Sequence, residues 1–131
     1  MKPGTTLRVA RPTDNLTAVA DMYVNGLGLT VLAAFEDHDG FDGIIIGHPQ
    51  LPYHLEFTAQ KGHQVGKAPN AEHLLVFYVP DADEWQTACA RMLSAGFQEI
   101  AAHNPYWDVA GKTFQDVDGY GVVLQQGAWT I

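Results

Sequence analysis

This 131-residue chain repeats itself once, and that repeat narrows its possible folds more than any other feature. "GLTVLAAF" from Gly28 aligns with "GFQEIAAH" from Gly96. Pro12, Gly28 and Gly43 fall on Pro80, Gly96 and Gly111, each pair 68 positions apart. The register then slips by one, so that "LPYHLEF" at 51–57 meets "DGYGVVL" at 118–124 and Tyr53 meets Tyr120. So long a period with only two copies excludes a solenoid, which needs a stack of short units. It implies a duplicated module within one domain spanning 1–131. The copies lie at about 6–58 and 74–127, joined by the polar linker "AQKGHQVGKAPNAEH" at 59–73.

Both copies read in the same order. A short strand ("LRVAR", 7–11; "LLVFYV", 74–79) ends at a helix N-cap, Asp14 or Asn15 in the first copy and Asp81 in the second, whose side-chain oxygens accept free backbone N–H groups. Helices follow over about 16–26 and 82–95. Leu16, Val19, Met22, Tyr23 and Leu27 form a buried stripe at three-to-four spacing, as do Trp85, Cys89, Met92 and Leu93. Gly28 and Gly96 suit the reversals after them. Three strands then complete each copy, at about 28–36, 42–48 and 52–58, and at 97–102, 111–116 and 119–126. The turns "EDHDGFDG" and "DVDGY" supply hairpin chemistry. The class is α+β: two tandem βαβββ modules forming a cupped mixed sheet.

Strand alternation assigns each side chain a face. In "LRVAR", Leu7 and Val9 turn to the helix and Arg8 and Ala10 away from it. In "YHLEFT", Tyr53, Leu55 and Phe57 enter the core, leaving His54, Glu56 and Thr58 opposite. In "YGVVLQ", Tyr120, Val122 and Leu124 are core, leaving Gly121, Val123 and Gln125. Strand 74–79 is apolar on both faces and reads as covered on both. A cup built from these faces contains Arg8, His54, Glu56, Thr58, Val123 and Gln125, walled by Leu74, Val76 and Tyr78.

Charge and composition exclude several classes of partner. The formal charge is −8, and seven Lys and Arg residues spread along the chain form no phosphate-tracking stripe, which argues against nucleic acid and anionic membranes. The single cysteine, Cys89, rules out an intrachain disulfide and suits a reducing, cytoplasmic setting. The opening "MKPGTTLRVARPTD" has no apolar signal core, and no aliphatic run approaches bilayer length. Cys89 and Ser94, the only cysteine and serine, both lie within the second helix without a nucleophile elbow, and no phosphate-binding loop is present.

Two βαβββ modules carrying "MYVNGLGL", "LPYHLEFT", "LLVFYVPDADE" and "DVDGYGVVLQ" resemble the glyoxalase / bleomycin-resistance / dioxygenase superfamily, the vicinal oxygen chelate proteins, over about residues 6–127. "YHLEFT", "LLVFYVP" and "NPYW" look most like its bacterial YycE-like branch. The resemblance implies a cup that in the enzymes holds a divalent metal on two histidines and two carboxylates, and a tendency to pair as homodimers. Carried over by position, Glu56 matches one carboxylate, while the other ligand positions fall on Val123, Leu74, and Thr6 or Arg8. His54, two residues before Glu56 on the same face, is the only further metal-ligand candidate there. A catalytic zinc usually takes three protein ligands, so the leading expectation is no metal cofactor, with Glu56 pairing with Arg8 instead. The alternative is one divalent metal ion on Glu56 and His54.

"HNPYWDVAG" at 103–111 places Tyr106 and Trp107 where they lid the second cup or pack on a sheet edge or partner. "DHDGFD" at 37–42 resembles calcium-loop spacing but sits where a hairpin turn belongs. The leading functional reading is a small-molecule binder whose ligand meets Arg8, His54, Glu56, Tyr78, Tyr106, Trp107 and Gln125, with no catalytic residue assigned. The competing readings are a divergent metal-dependent lyase, isomerase or ring-cleaving dioxygenase, and a structural dimer with a vestigial cup.

Overall fold

The computed structural model describes residues 1–130. β1 (Leu7–Pro12), α1 (Leu16–Leu27), β2 (Thr30–His38), β3 (Phe41–Gly47) and β4 (Tyr53–Gln60) make the first copy. β5 (Leu74–Val79), α2 (Ala82–Ser94), β6 (Gln98–Ile100), a single-turn α3 (Tyr106–Val109), β7 (Gly111–Gln115) and β8 (Gly121–Gln126) make the second. Each copy builds its own four-stranded sheet, in the order β1-β4-β3-β2 and β5-β8-β7-β6. The first and last strands of each copy run parallel and the remaining pairs antiparallel. The fold is α+β, as the repeat implies. No helix among the described residues is long and apolar enough to cross a membrane.

One hydrophobic cluster draws on both copies. Val19 and Tyr23 from α1 and Cys89 and Met92 from α2 meet Ile46, Leu55 and Phe57 of the first sheet and Phe114, Val122 and Leu124 of the second. The helices touch because residue 26 of α1 is glycine. A Cβ there would stand 2.9 Å from Met92 Sδ and from Phe97 Cε1, inside van der Waals contact.

Several local expectations change. Asp81 caps α2 by accepting from Glu84 N at 2.8 Å, but the α1 cap residue Asn15 makes no side-chain cap bond. Asp14 holds the linker instead, accepting from Val65 N and Gly66 N at 2.9 Å. Those backbone donors keep its carboxyl below the ordinary 3.8. Leu93 lies on the exposed side of α2 and Ala88 takes its place in the core, because the helix rests its other flank on α1. Leu7 remains 60% exposed. β5 is an edge strand and only half-buried. "DHDGFD" is a hairpin turn in which Asp39 and Gly40 both take positive φ.

A buried polar hub ties the copies together. Asp116, on the β7–β8 turn, accepts from Tyr23 Oη at 2.7 Å and faces Arg11 Nη1 at 3.7 Å. Its other oxygen accepts from Asp118 N at 2.8 Å and Tyr120 N at 3.1 Å. The Arg11 guanidinium lies 3.8 Å over the Tyr120 ring. Asp118 accepts from Thr13 Oγ1 at 2.6 Å and Asn15 Nδ2 at 2.9 Å. Burial first, and then the Asp116 charge, push the Tyr23 hydroxyl well above its ordinary 10.0. Removing one partner from such a network strands a buried charge, so Asp116→Ala is expected to cost about 3–5 kcal/mol in urea unfolding. Stability that Tyr23 contributes below pH about 10 should fade as pH rises above it, and Tyr23→Phe should lose that dependence.

Candidate functional site

The residues opposite the helices lie on two sheets. On the first sheet, cross-strand register aligns three rows. Arg8, His54 and Gly47 lie in one, Ala10, Glu56 and Ile45 in the next, and Pro12, Thr58, Gly43 and Phe35 in the third. The alternation of β4 produces this arrangement: Leu55 and Phe57 are buried, while His54, Glu56 and Thr58 are half-buried on the other side. Gly43 leaves room for the Phe35 ring, which a Cβ at that position would overlap. The floor of this face is therefore apolar to one side of the charged row.

Arg8 organises the charged part. Its Nε donates to His54 Nδ1 at 3.1 Å, and its Nη1 lies 3.7 Å from Glu56 Oε2. Because Nδ1 accepts, His54 is the neutral tautomer with its proton on Nε2. The Arg8 side chain is 44% exposed and that of Glu56 15%. A pair this open contributes at most about 1 kcal/mol to stability. Its main effect is to fill the space between the two groups with a permanent cation.

That cation bears directly on the metal alternative. The Nδ1 lone pair of His54 is engaged by Arg8, Glu56 faces the same guanidinium, and a guanidinium repels a divalent ion. Among the described residues no group of three or more His, Cys, Asp and Glu side chains is placed to hold a metal. Val123 is fully buried and Leu74 covers Gly121, so the remaining inherited positions offer no lone pair. The residues present do not fit a resident metal.

The second sheet carries the rest of the expected cup. Tyr78 pairs with Gln125, Val76 with Val123 and Leu74 with Gly121. Here both faces are closed: every residue of β8 from Gly121 to Gln125 is buried. Tyr106 and Trp107 sit on α3, which packs against β7, with their rings edge-on at 4.9 Å. Tyr106 is exposed and Trp107 half-buried. Tyr78 is exposed, its ring 6.0 Å from that of Trp129. The structure thus brings Arg8, His54, Glu56 and Thr58 together, and places Tyr78, Gln125, Tyr106 and Trp107 on the other sheet. A cavity of about 580 Å³, lined by Met22, Lys67, Asn70, Gln98 and Gln115 among others, lies apart from all of these residues. Its walls come from α1, the linker and the second sheet, segments with no shared sequence signal. Cys89 is a core residue whose thiol burial pushes up, as expected of an inert cysteine.

Residues 7–58 match the YycE-like N-terminal domain and residues 72–126 the YycE-like C-terminal domain. The chain belongs to the YycE-like family. It is 40% identical to the uncharacterized protein YycE of Bacillus subtilis over 118 residues, 90% of this chain and 85% of that protein. The crystal structure of YycE, a protein of unknown function grouped with glyoxalase/fosfomycin resistance proteins, superposes with a TM-score of 0.87 at 38% identity. That match covers 98% of this chain and 93% of YycE. Glyoxalase I of Leishmania major (TM-score 0.70, 19% identity, 93% and 86% of the two chains) shares the fold. So does TnmS3, an antibiotic binding protein from Streptomyces sp. CB03234 (0.66, 20%, 98% and 99%). The YycE-like chain therefore has the glyoxalase-like fold of the vicinal oxygen chelate proteins, a scaffold shared by an enzyme and a binder. Elemental analysis of protein purified without added ions is expected to find far less than one divalent metal per chain. A full equivalent, lost in Glu56→Ala, would overturn the assignment of Arg8 as the resident cation.

Proposed function

We propose that this YycE-like protein binds a small anionic molecule on the open face of its first sheet, and that it does so without a catalytic metal. One observation carries the reading: the Arg8 guanidinium stands between His54 and Glu56, where it supplies the positive charge of the site. A guanidinium has five N–H donors in a planar fork, and those not spent on His54 and Glu56 suit a carboxylate, phosphonate or polarised carbonyl group. His54 Nε2–H adds a neutral donor beside it. Phe35 and Ile45 give apolar contact on the same face. The poor fit to a metal supports the binder over the enzyme.

Tyr78, Tyr106 and Trp107 complete the ligand's surroundings when the two sheet faces come together, and self-association is the simplest route to that. β2 is an edge strand with Val31 56% exposed and Leu32 beside it. An unpaired apolar edge of this kind invites another strand. Sedimentation at micromolar concentration is expected to show a dimer, and Val31→Lys to give a monomer; a native monomer refutes the pairing. The one cysteine, free and buried, fits the cytoplasm.

A thermal-shift panel of aromatic carboxylates and phosphonates tests the ligand class. At least one should raise the melting temperature, and Arg8→Ala should weaken its binding by about 10- to 100-fold, the value of one charged hydrogen bond. Binding unchanged in Arg8→Ala refutes the reading.

A further inference from the structure

Two buried side-chain polar atoms, Thr113 Oγ1 and Gln125 Oε1, have no hydrogen-bond partner among the described residues, and they share one face of one sheet. Register shows it: β7 and β8 pair Thr113 with Val123 and Gly111 with Gln125, so the two residues occupy adjoining rows opposite the helices. Thr113 is 1% exposed and Gln125 9%. A native interior satisfies nearly all such groups, and an orphan is costly because its water has been stripped without replacement. Two orphans on one face mark a place where a polar partner is missing.

The surroundings are arranged to admit one. Gly111 stands beside Gln125, where a Cβ would come within 2.5 Å of Oε1 and 2.9 Å of the Trp107 carbonyl oxygen. The residue without a side chain thus leaves the amide oxygen clear. It also shows that the Trp107 carbonyl, on α3, lies over this face at Gly111. Within the segment 101–110 Ala102 N donates to the Asp108 carboxylate at 3.2 Å, Tyr106 N to Asn104 Oδ1 at 3.0 Å, Trp107 N to Asn104 O at 3.1 Å and Asp108 N to Pro105 O at 3.0 Å, while His103 Nε2 lies 3.4 Å from Glu72 Oε1 of the linker. The segment's backbone tie to the sheet comes at its end, where Ala110 O accepts from Gln126 N at 2.7 Å.

We propose that Thr113 and Gln125 form a hydrogen-bonding subsite beneath the 101–110 segment, for a ligand bearing an uncharged N–H donor, specifically a primary carboxamide on a flat apolar body. Gln125 Oε1 only accepts, and the Thr113 hydroxyl either gives or accepts. An amide NH₂ meets the first, and the amide carbonyl takes the proton of the second. A carboxylate in the same place would turn an acceptor toward an acceptor. Val123 on the same face and Trp107 at its cover provide contact for a ring. The subsite lies on the second sheet and holds whether or not Arg8 binds an anion.

Benzamide and benzoate, matched in shape and opposite in donor content, test this on the whole protein. Each is titrated into ¹⁵N-labelled chain at millimolar concentration while the Gln125 side-chain amide and Trp107 indole N–H signals are followed. Benzamide should move both signals saturably and bind about tenfold or more tightly than benzoate, the value of one hydrogen bond. Thr113→Val and Gln125→Met should each erase that preference. Their unliganded stability should match or exceed the native chain's, because each removes an orphan. The proposal is overturned if benzamide leaves these signals unmoved, if benzoate binds there equally well, or if the preference survives both substitutions. A loss of stability in unliganded Thr113→Val would overturn it too, by showing that the hydroxyl already has a partner. The benzamide and benzoate comparison on native protein decides the matter even if a variant fails to fold.

Discussion

The buried carboxylate of Asp116 is the constraint on which the arrangement of the two copies depends. Apolar packing between the sheets and helices is non-directional and would tolerate small slides. A buried charge does not, because its cost is offset only when Arg11, Tyr23 and two backbone N–H groups all reach it at once. Asp118 repeats the demand with Thr13 and Asn15. Together they lock the end of β1 and the start of α1 onto the β7–β8 turn. Every face and pocket of the molecule is placed relative to that lock.

With the copies fixed, their differences become functional. The duplication left two sheets of the same order, but β4 kept a half-open polar side and β8 became buried on both. One face therefore presents a guanidinium flanked by an imidazole and a carboxylate. The other presents neutral oxygens sealed under a short helix.

Much of this was legible beforehand because the relevant physics is local. A period of two along a strand puts His54 and Glu56 on one face and Leu55 and Phe57 on the other, whatever the rest of the chain does. Arg8 shares the parity of that face along β1, so its pairing with Glu56 followed. Arg11 stands on the core side, and a cation there demands a carboxylate. Which of fifteen acidic residues answers it was not legible, since Asp116 lies 105 positions away and looked like turn chemistry. Asp14 misled for a related reason: a carboxylate before a helix normally caps it, and only the path of the linker gave it other donors.

Sequence alone determined the duplicated βαβββ plan, the α+β class and the side of each strand on which the polar residues stand, because repeats, caps and alternation are properties of neighbouring residues. Tertiary structure alone decided that β8 is buried on both faces, with α3 packed against β7. It also decided that an arginine fills the space between His54 and Glu56. Those outcomes depend on distances between segments far apart in the chain, and such distances exist only once the whole core has packed.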